Sequence, residues 1–479
     1  MSVLVEQVHR PITVHIEVQV KSDEHVRFSQ VKREMHKFVI ENFAALRVNS
    51  TIDHLTCGDA SIDRKIEKIS VVEVQCSGSI PDIVMLNAQT KLEFHVYQLS
   101  EPDPNEFAPD VDEEHKISID DEHSTAAVIT ELPHRSLEGL WESLVFDEDI
   151  KHRLLHFMST MMLFSDHKIN YRIVTMNRMI LLHGPPGTGK TSLCRSLAQK
   201  LTIRMTNKFV EGKLVEISAH SLFSKWFSES GKLVGKLFEQ IRKLLSTKNC
   251  FVCVLIDEVE SLTASRKAAA CGSEPSDGLR VVNALLTELD RLRDYKNVLI
   301  MTTSNLLQAM DPAFLERVDV KQYVGWPSAA ATYEILRSCV IELIRCGLVF
   351  VKEPVMGDNG STIQSYGSLD LIQPVNDSLL ATPIIEQAES VFPHYTQASL
   401  NLYSKPNSHS SRLLNISHNC KDFGGRTLRR LAVLGYATYI HCDSCELSEL
   451  LHAFELTVKD ELQVQLALKM EVALQPITT

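Results

Sequence analysis

Two stretches near the start of the chain alternate apolar and polar residues: TVHIEVQV, with Val14, Ile16, Val18 and Val20 on one face, and LEFHVYQL, with Leu92, Phe94 and Val96 on one face. Period-two alternation predicts half-buried β-strands. Between them SQVKREMHKFVIENFAAL places Val31, Met35 and Phe38 at helical spacing, and SVVEVQC near residue 72 predicts a third strand. Residues 1–100 therefore read as a small α+β domain. The next stretch, 101–122, holds ten acids, one lysine and three prolines. Such a segment repels itself and buries little, so 101–132 is expected to be an acidic flexible linker, a solvated spacer rather than a docking motif.

From 133 to 327 the pattern changes. The short runs MILLHG, LVEISAH, CFVCVLIDE and VLIMTTSN are apolar almost throughout, and they are separated by amphipathic stretches such as SGKLVGKLFEQIRKLL, with Leu233, Leu237, Ile241 and Leu244 on one face. Strands without alternation are buried on both faces, as in a parallel sheet covered by helices. The expected fold class is α/β, a nucleotide-binding module preceded by the small α+β domain. Helical segments such as AAATYEILRSCVIELIRC predict an all-helical lid over 328–479, interrupted at 352–412 by a polar stretch rich in Gly, Ser, Asn and Pro that is expected to be disordered.

Composition narrows the function classes. A chain of 479 residues exceeds what one core supports, so two or three domains are expected. A formal charge of −12 without a basic stripe argues against direct nucleic-acid binding. No apolar run approaches the roughly 20 residues of a membrane span, and MSVLVEQVHR lacks the basic and apolar regions of a signal peptide, so an intracellular protein with no membrane partner is expected. The eleven cysteines have no framework spacing, which suits reduced thiols. His441, Cys442 and Cys445 form half of a zinc-like pattern that His418 and Cys420 could complete, although loop and helix cysteines are the simpler reading.

The strongest chemical signal is GPPGTGKT, 184–191, between the strand MILLHG and the helix TSLCRSLAQKL. The context is that of a phosphate-binding loop, in which glycines turn backbone N–H groups inward at a helix N-terminus. Gly184, Pro185, Pro186, Gly187, Thr188, Gly189, Lys190, Thr191 and the following Ser192 are the expected ATP-binding residues. Lys190 is expected to reach the β- and γ-phosphates, and the Thr191 hydroxyl to ligate Mg²⁺. The buried run CVLIDE ends in Asp257, the second candidate for Mg²⁺, and Glu258, the candidate that activates water. VLIMTTSN closes with Asn305, placed to orient that water, sense the γ-phosphate, or simply cap a strand. Arg317, just before the last strand, is badly placed for its own nucleotide but suits an arginine finger toward a neighbouring subunit, which implies a ring. At the helix start GGRTLRRL, Arg426 is a candidate to bend over the phosphates, with Arg429 one turn on; a plain surface arginine is the alternative. Trp226 and Phe227 stand side by side in SLFSKWFSESGK, and adjacent residues cannot share one buried face, so at least one is expected to be exposed.

GPPGTGKT, LIDE, TTSN and GGR in that order resemble an AAA+ ATPase over roughly 133–470. GLWESLVFD, LLHGPPGTGKTSLCRSLAQKLTIR, the stretch around SLFSKWFSESGKL (with Ala219 before His220) and LIDEVESLTASR resemble the pachytene checkpoint AAA+ ATPases, as TVHIEVQV and LEFHVYQLSE do less strongly. The resemblance implies a homohexameric ring that remodels HORMA-domain clients presented by a HORMA-type adaptor, in meiotic chromosome-axis control and spindle-checkpoint silencing, in the nucleus and cytoplasm. It also implies that the N-terminal domain recognises client and adaptor, that Trp226 and Phe227 grip the client in a central pore, that Arg317 acts in trans, and that Leu144 and Val145 line the adenine pocket. The long polar stretch within 350–412 departs from the family's lid. An AAA+ machine acting on DNA and a nucleotide-dependent scaffold remain the alternatives, the first opposed by the acidic charge and the second by Glu258, Asn305 and Arg317 occurring together; the lack of H-E-x-x-H opposes a fused metalloprotease.

Overall fold

The computed structural model describes residues 12–22, 26–52, 64–75, 82–87, 90–101, 116–118, 125–147, 149–167, 169–170, 173–219, 230–247, 249–261, 277–351, 390–406 and 408–474. The first domain is a four-stranded sheet of β1 (Ile12–Val20), β2 (Ser50–Thr51), β3 (Ile66–Gln75) and β4 (Thr90–Gln98) in the order β2-β3-β1-β4, with α1 (Phe28–Asn42) on one face. Val14, Ile16 and Val18 pack against Val31, Met35 and Phe38 of α1, as the alternation predicts.

The α/β module is a seven-stranded sheet of β5 (Lys116–Ser118), β6 (Thr125–Leu132), β7 (Met179–His183), β8 (Glu211–Ser218), β9 (Cys250–Asp257), β10 (Val298–Ser304) and β11 (Val320–Tyr323). The order is β11-β7-β10-β9-β8-β6-β5, and β7, β10, β9 and β8 are parallel. The helices α2 (Ile150–Asp166), α3 (Lys190–Arg204), α4 (Ser230–Ser246) and α5 (Asp277–Leu292) complete the module. Val234, Leu237 and Ile241 of α4 and Val281, Leu285 and Leu289 of α5 enter one core with the central strands. Every residue of β10 is buried, its apolar first half, 298–301, and the polar Thr302, Thr303 and Ser304 alike.

Two boundaries shift. The reading of 101–132 as linker fails at β5 and β6: β5 pairs antiparallel with β6, and β6 with β8, from Ala127 against Ile217 to Leu132 against Gly212. The acidic stretch hides TAAVITEL, whose Ala127 and Ile129 pack on the sheet core. Of the expected insertion 352–412, residues 352–389 lie outside the described residues, but its end is ordered lid. The lid contains α6 (Ala329–Arg345), α7 (Tyr395–Ser404), α8 (His409–Asn419), α9 (Gly425–Tyr439) and α10 (Leu447–Leu474), and Phe392, Ala398, Leu413 and Leu414 lie in its core beside Tyr333, Leu336 and Phe454.

The polar face of the first domain's sheet is also covered. His15, Glu17, Gln19, Glu73 and His95 are all buried. The covering element is α3, the helix that follows the phosphate loop: Lys200 Nζ lies 2.7 Å from Glu17 Oε2, and Arg204 pairs with Glu73, which also meets His152 of α2 at 2.6 Å. Burial raises the Glu73 pKa, but the His152 hydrogen bond and the Arg204 charge outweigh it and hold the carboxyl at about 2. Burial lowers the pKa of His95, and the charges of His15, Arg204 and Lys32 push the same way, to about 3. His15 is lowered by burial and by Arg204, against the pull of Glu73 and Glu93.

A histidine whose folded pKa is depressed contributes stability that is complete above its unfolded value of 6.5 and is lost as pH falls toward the folded value. The contact between the first domain and α3 should therefore loosen from pH 6.5 downward, by up to about 1.4 kcal/mol per pH unit per proton. Hydrogen exchange of β1 and β4 between pH 7.5 and 5 measures this, and His95→Gln should flatten the profile. Wild-type protection that does not change with pH would contradict it.

Candidate active site

β7 ends at the phosphate loop, where Gly187 and Gly189 take φ of 74° and 93°, the left-handed region that favours glycine. Thr188 Oγ1 donates to Pro185 O at 3.0 Å, closing the loop on itself, and Lys190 Nζ donates to Gly184 O and Pro185 O at 2.9 and 2.7 Å. The lysine thus lies within the curve of the loop at the N-terminus of α3, the position that suits a phosphate group.

The lid helix α9 begins against this loop. Arg426 donates its backbone N–H to Gly187 O at 3.2 Å, and a Cβ on Gly424 would sit 2.8 Å from the same oxygen, so only glycine permits the approach. The Cβ of Arg426 lies 3.8 Å from the position a Cβ on Gly187 would take. Arg429 instead donates from Nη2 to Ser143 O, tying α9 to the segment before α2. In that segment Leu144 comes within 3.5 Å of the Cβ position of Gly189, whereas Val145 packs on the lid core.

The candidate acids and their hydroxyl partners gather at the ends of β9 and β10. Thr191 Oγ1 donates to Asp257 at 3.0 and 3.2 Å, while Ser192 follows half-buried on α3. Glu258 is exposed and holds a left-handed φ of 58°. Asn305 donates its side-chain and backbone N–H groups to Glu260 Oε1 at 2.9 and 3.0 Å, so its amide is oriented by an acid that no sequence motif singles out. Arg317 is engaged within its own chain, Nε and Nη2 lying 2.9 and 2.8 Å from the two carboxylate oxygens of Asp290. Thr303 hydrogen-bonds to Asp257 and to the Glu258 N–H. Glu260 and Thr303 lie within DEVE and TTSN and Asp290 lies in TELDRL, but only the fold shows which side chains meet.

Trp226 and Phe227 lie outside the described residues. Among the described residues, His418, Cys420, His441, Cys442 and Cys445 do not bring three metal-ligating atoms together; the set that does is His15, Glu93 and His95, within 4.8 Å of one another. That set belongs to the buried face against α3, where Nδ1 of His15 and Nε2 of His95 share a hydrogen bond of 3.0 Å and Arg204 disfavours a further cation.

Three family models match consecutive stretches of the chain: the TRIP13 N-terminal domain over 9–102, the ATPase family associated with various cellular activities over 180–326, and the TRIP13-like AAA+ ATPase lid C-terminal domain over 328–462. The chain is similar to the pachytene checkpoint protein 2 homolog of Mus musculus, with 39% identity over 85% of this chain and 84% of that protein. The homolog of Oryza sativa subsp. indica is 44% identical over 79% of this chain and 73% of its own length. The solved structure of C. elegans PCH-2 superposes with a TM-score of 0.68 at 29% identity, covering 94% of this chain and 99% of that one. The chain therefore belongs to the pachytene checkpoint protein 2 family of AAA+ enzymes and is an ATPase.

Proposed function

We propose that this ATPase assembles as a homohexameric ring and uses ATP hydrolysis to unfold or convert HORMA-domain proteins, Mad2-like and meiotic-axis clients presented by a HORMA-type adaptor. The role fits spindle-checkpoint silencing and control of meiotic recombination, in the nucleus and cytoplasm. The observation that carries the proposal is the burial of the N-terminal domain on α3, the helix whose first turn supplies Lys190 and Thr191. A domain fit for partner recognition is thereby joined to the element that contacts nucleotide. Family membership supports the choice of client.

The Thr191 hydroxyl and the Asp257 carboxylate, 3.0 Å apart, are hard oxygen donors that fit Mg²⁺. When bound, Mg²⁺ neutralises charge on the phosphate oxygens. Lys190 and the loop N–H groups hold the β- and γ-phosphates, and Arg426 adds positive charge from the lid. Glu258 takes a proton from the attacking water, Asn305 orients that water, and Arg317 stabilises the transferring phosphoryl group in a neighbouring subunit. Trp226 and Phe227 grip the client in the central pore, and Leu144 faces the adenine side of the loop.

Glu258→Gln should retain ATP binding while phosphate release falls by about 10²-fold or more. In ATP this variant should enrich HORMA-domain proteins over DNA-associated ones in a pull-down; hydrolysis at the wild-type rate would remove Glu258 from its role. Mixing Arg317→Ala with Lys190→Ala subunits should restore part of the activity that each lacks alone, because hybrid interfaces pair an intact loop with an intact finger. No recovery at any ratio would rule out action in trans. Trp226→Ala should abolish conversion of a HORMA-domain client from closed to open form, and conversion at the wild-type rate would show that the client is gripped elsewhere.

A further inference from the structure

We infer that Thr303 is a positioning residue for ATP hydrolysis, one buried hydroxyl that sets the geometry of Asp257 and Glu258 together. The inference rests on the roles given to those two acids above. β10 runs parallel to β9 with Thr302 opposite Ile256, which puts Thr303 beside Asp257 where both strands end. Thr303 is 2% exposed. Its Oγ1 donates to Asp257 Oδ1 and accepts the backbone N–H of Glu258 at 3.2 Å, and its carbonyl accepts the N–H of Val259 at 3.0 Å.

Residue 258 needs this support. A non-glycine residue in the left-handed region costs about 1–3 kcal/mol and persists only where its surroundings hold it there. The two bonds from Thr303 clamp the peptide groups on either side of the Glu258 Cα, and so fix where its carboxylate leaves the strand. The same hydroxyl has one proton, and it is spent on Asp257. Among the described residues Asp257 accepts hydroxyl protons from Thr191 and Thr303. If the Thr191 oxygen turns to a cation, Thr303 is left to orient the carboxylate. Because the hydroxyl both accepts from Glu258 and donates to Asp257, the two bonds polarise in the same direction.

A simpler role for Thr303 is β-branched packing in a buried strand, and three variants separate the two. If the hydroxyl positions the acids, kcat follows chemistry: Thr303→Ser stays within a few-fold of wild type, while Thr303→Val and Thr303→Ala both lose about 10–100-fold. If the residue only packs, activity and melting temperature follow volume, with Thr303→Val like wild type and Thr303→Ala lowest. A second readout needs no turnover. In the Glu258→Gln background, Mn²⁺ binding to the ATP complex, followed by electron paramagnetic resonance, should weaken in Thr303→Val and recover in Thr303→Ser, because it reports on Asp257. Nucleotide binding without metal should stay within about twofold throughout. Wild-type kcat and Mn²⁺ affinity in Thr303→Val, with Glu258→Gln inactive, would overturn the role of Thr303 and leave the acids in place. Full activity in Glu258→Gln would instead overturn the assignment of the acids.

Discussion

The joining of the N-terminal domain to the α/β module depends on charge buried between α3 and the N-terminal sheet. Lys200 and Glu17 are 8% and 4% exposed, and Arg204 and Glu73 are 8% and 6%. Removing such charges from water costs several kcal/mol each, a cost offset only where partners meet in good geometry. Such pairs add little to stability but strongly penalise any arrangement that separates them. α3 has 15 residues, about 22 Å of helix, with Lys190 and Thr191 in its first turn and Lys200 and Arg204 in its last two.

The order β7-β10-β9 explains how residues far apart in sequence form one chemical group. These strands are parallel, so the loop after β7 and the ends of β10 and β9 emerge along the same edge of the sheet. Thr191, Thr303 and Asp257 can then share hydrogen bonds, and the left-handed turn at Glu258 separates the exposed acid from its half-buried neighbour.

What can be read from the sequence is what local spacing determines. Val14, Ile16 and Val18 alternate because one face of β1 packs on α1, and CFVCVLI is apolar throughout because β9 is covered on both faces up to Asp257. GPPGTGKT carries its own chemistry in its backbone requirements. The burial of His15, Glu17 and Glu73 is not legible, since alternation identifies the polar face of a strand but not whether a later helix covers it. TAAVITEL reads as linker because the acids before it dominate the local composition. Thr303 and Glu260 act through register across β9 and β10, and Asp290 through a salt bridge between α5 and the turn before β11. None of these pairings leaves a trace in local spacing.

The bidentate pair between Arg317 and Asp290 looks at first opposed to a trans-acting finger, since the guanidinium already has a partner. The energetics remove the conflict. Arg317 and Asp290 are 27% and 39% exposed, so water screens them, and exposed pairs typically contribute about 0–1 kcal/mol. In the proposed ring, a triphosphate across the interface offers several oxygens and more charge than one carboxylate. Exchanging Asp290 for such a partner costs little and gains charge-assisted hydrogen bonds of the stronger kind. Under the proposed action in trans, Asp290 is the partner that Arg317 exchanges for a neighbour's phosphate.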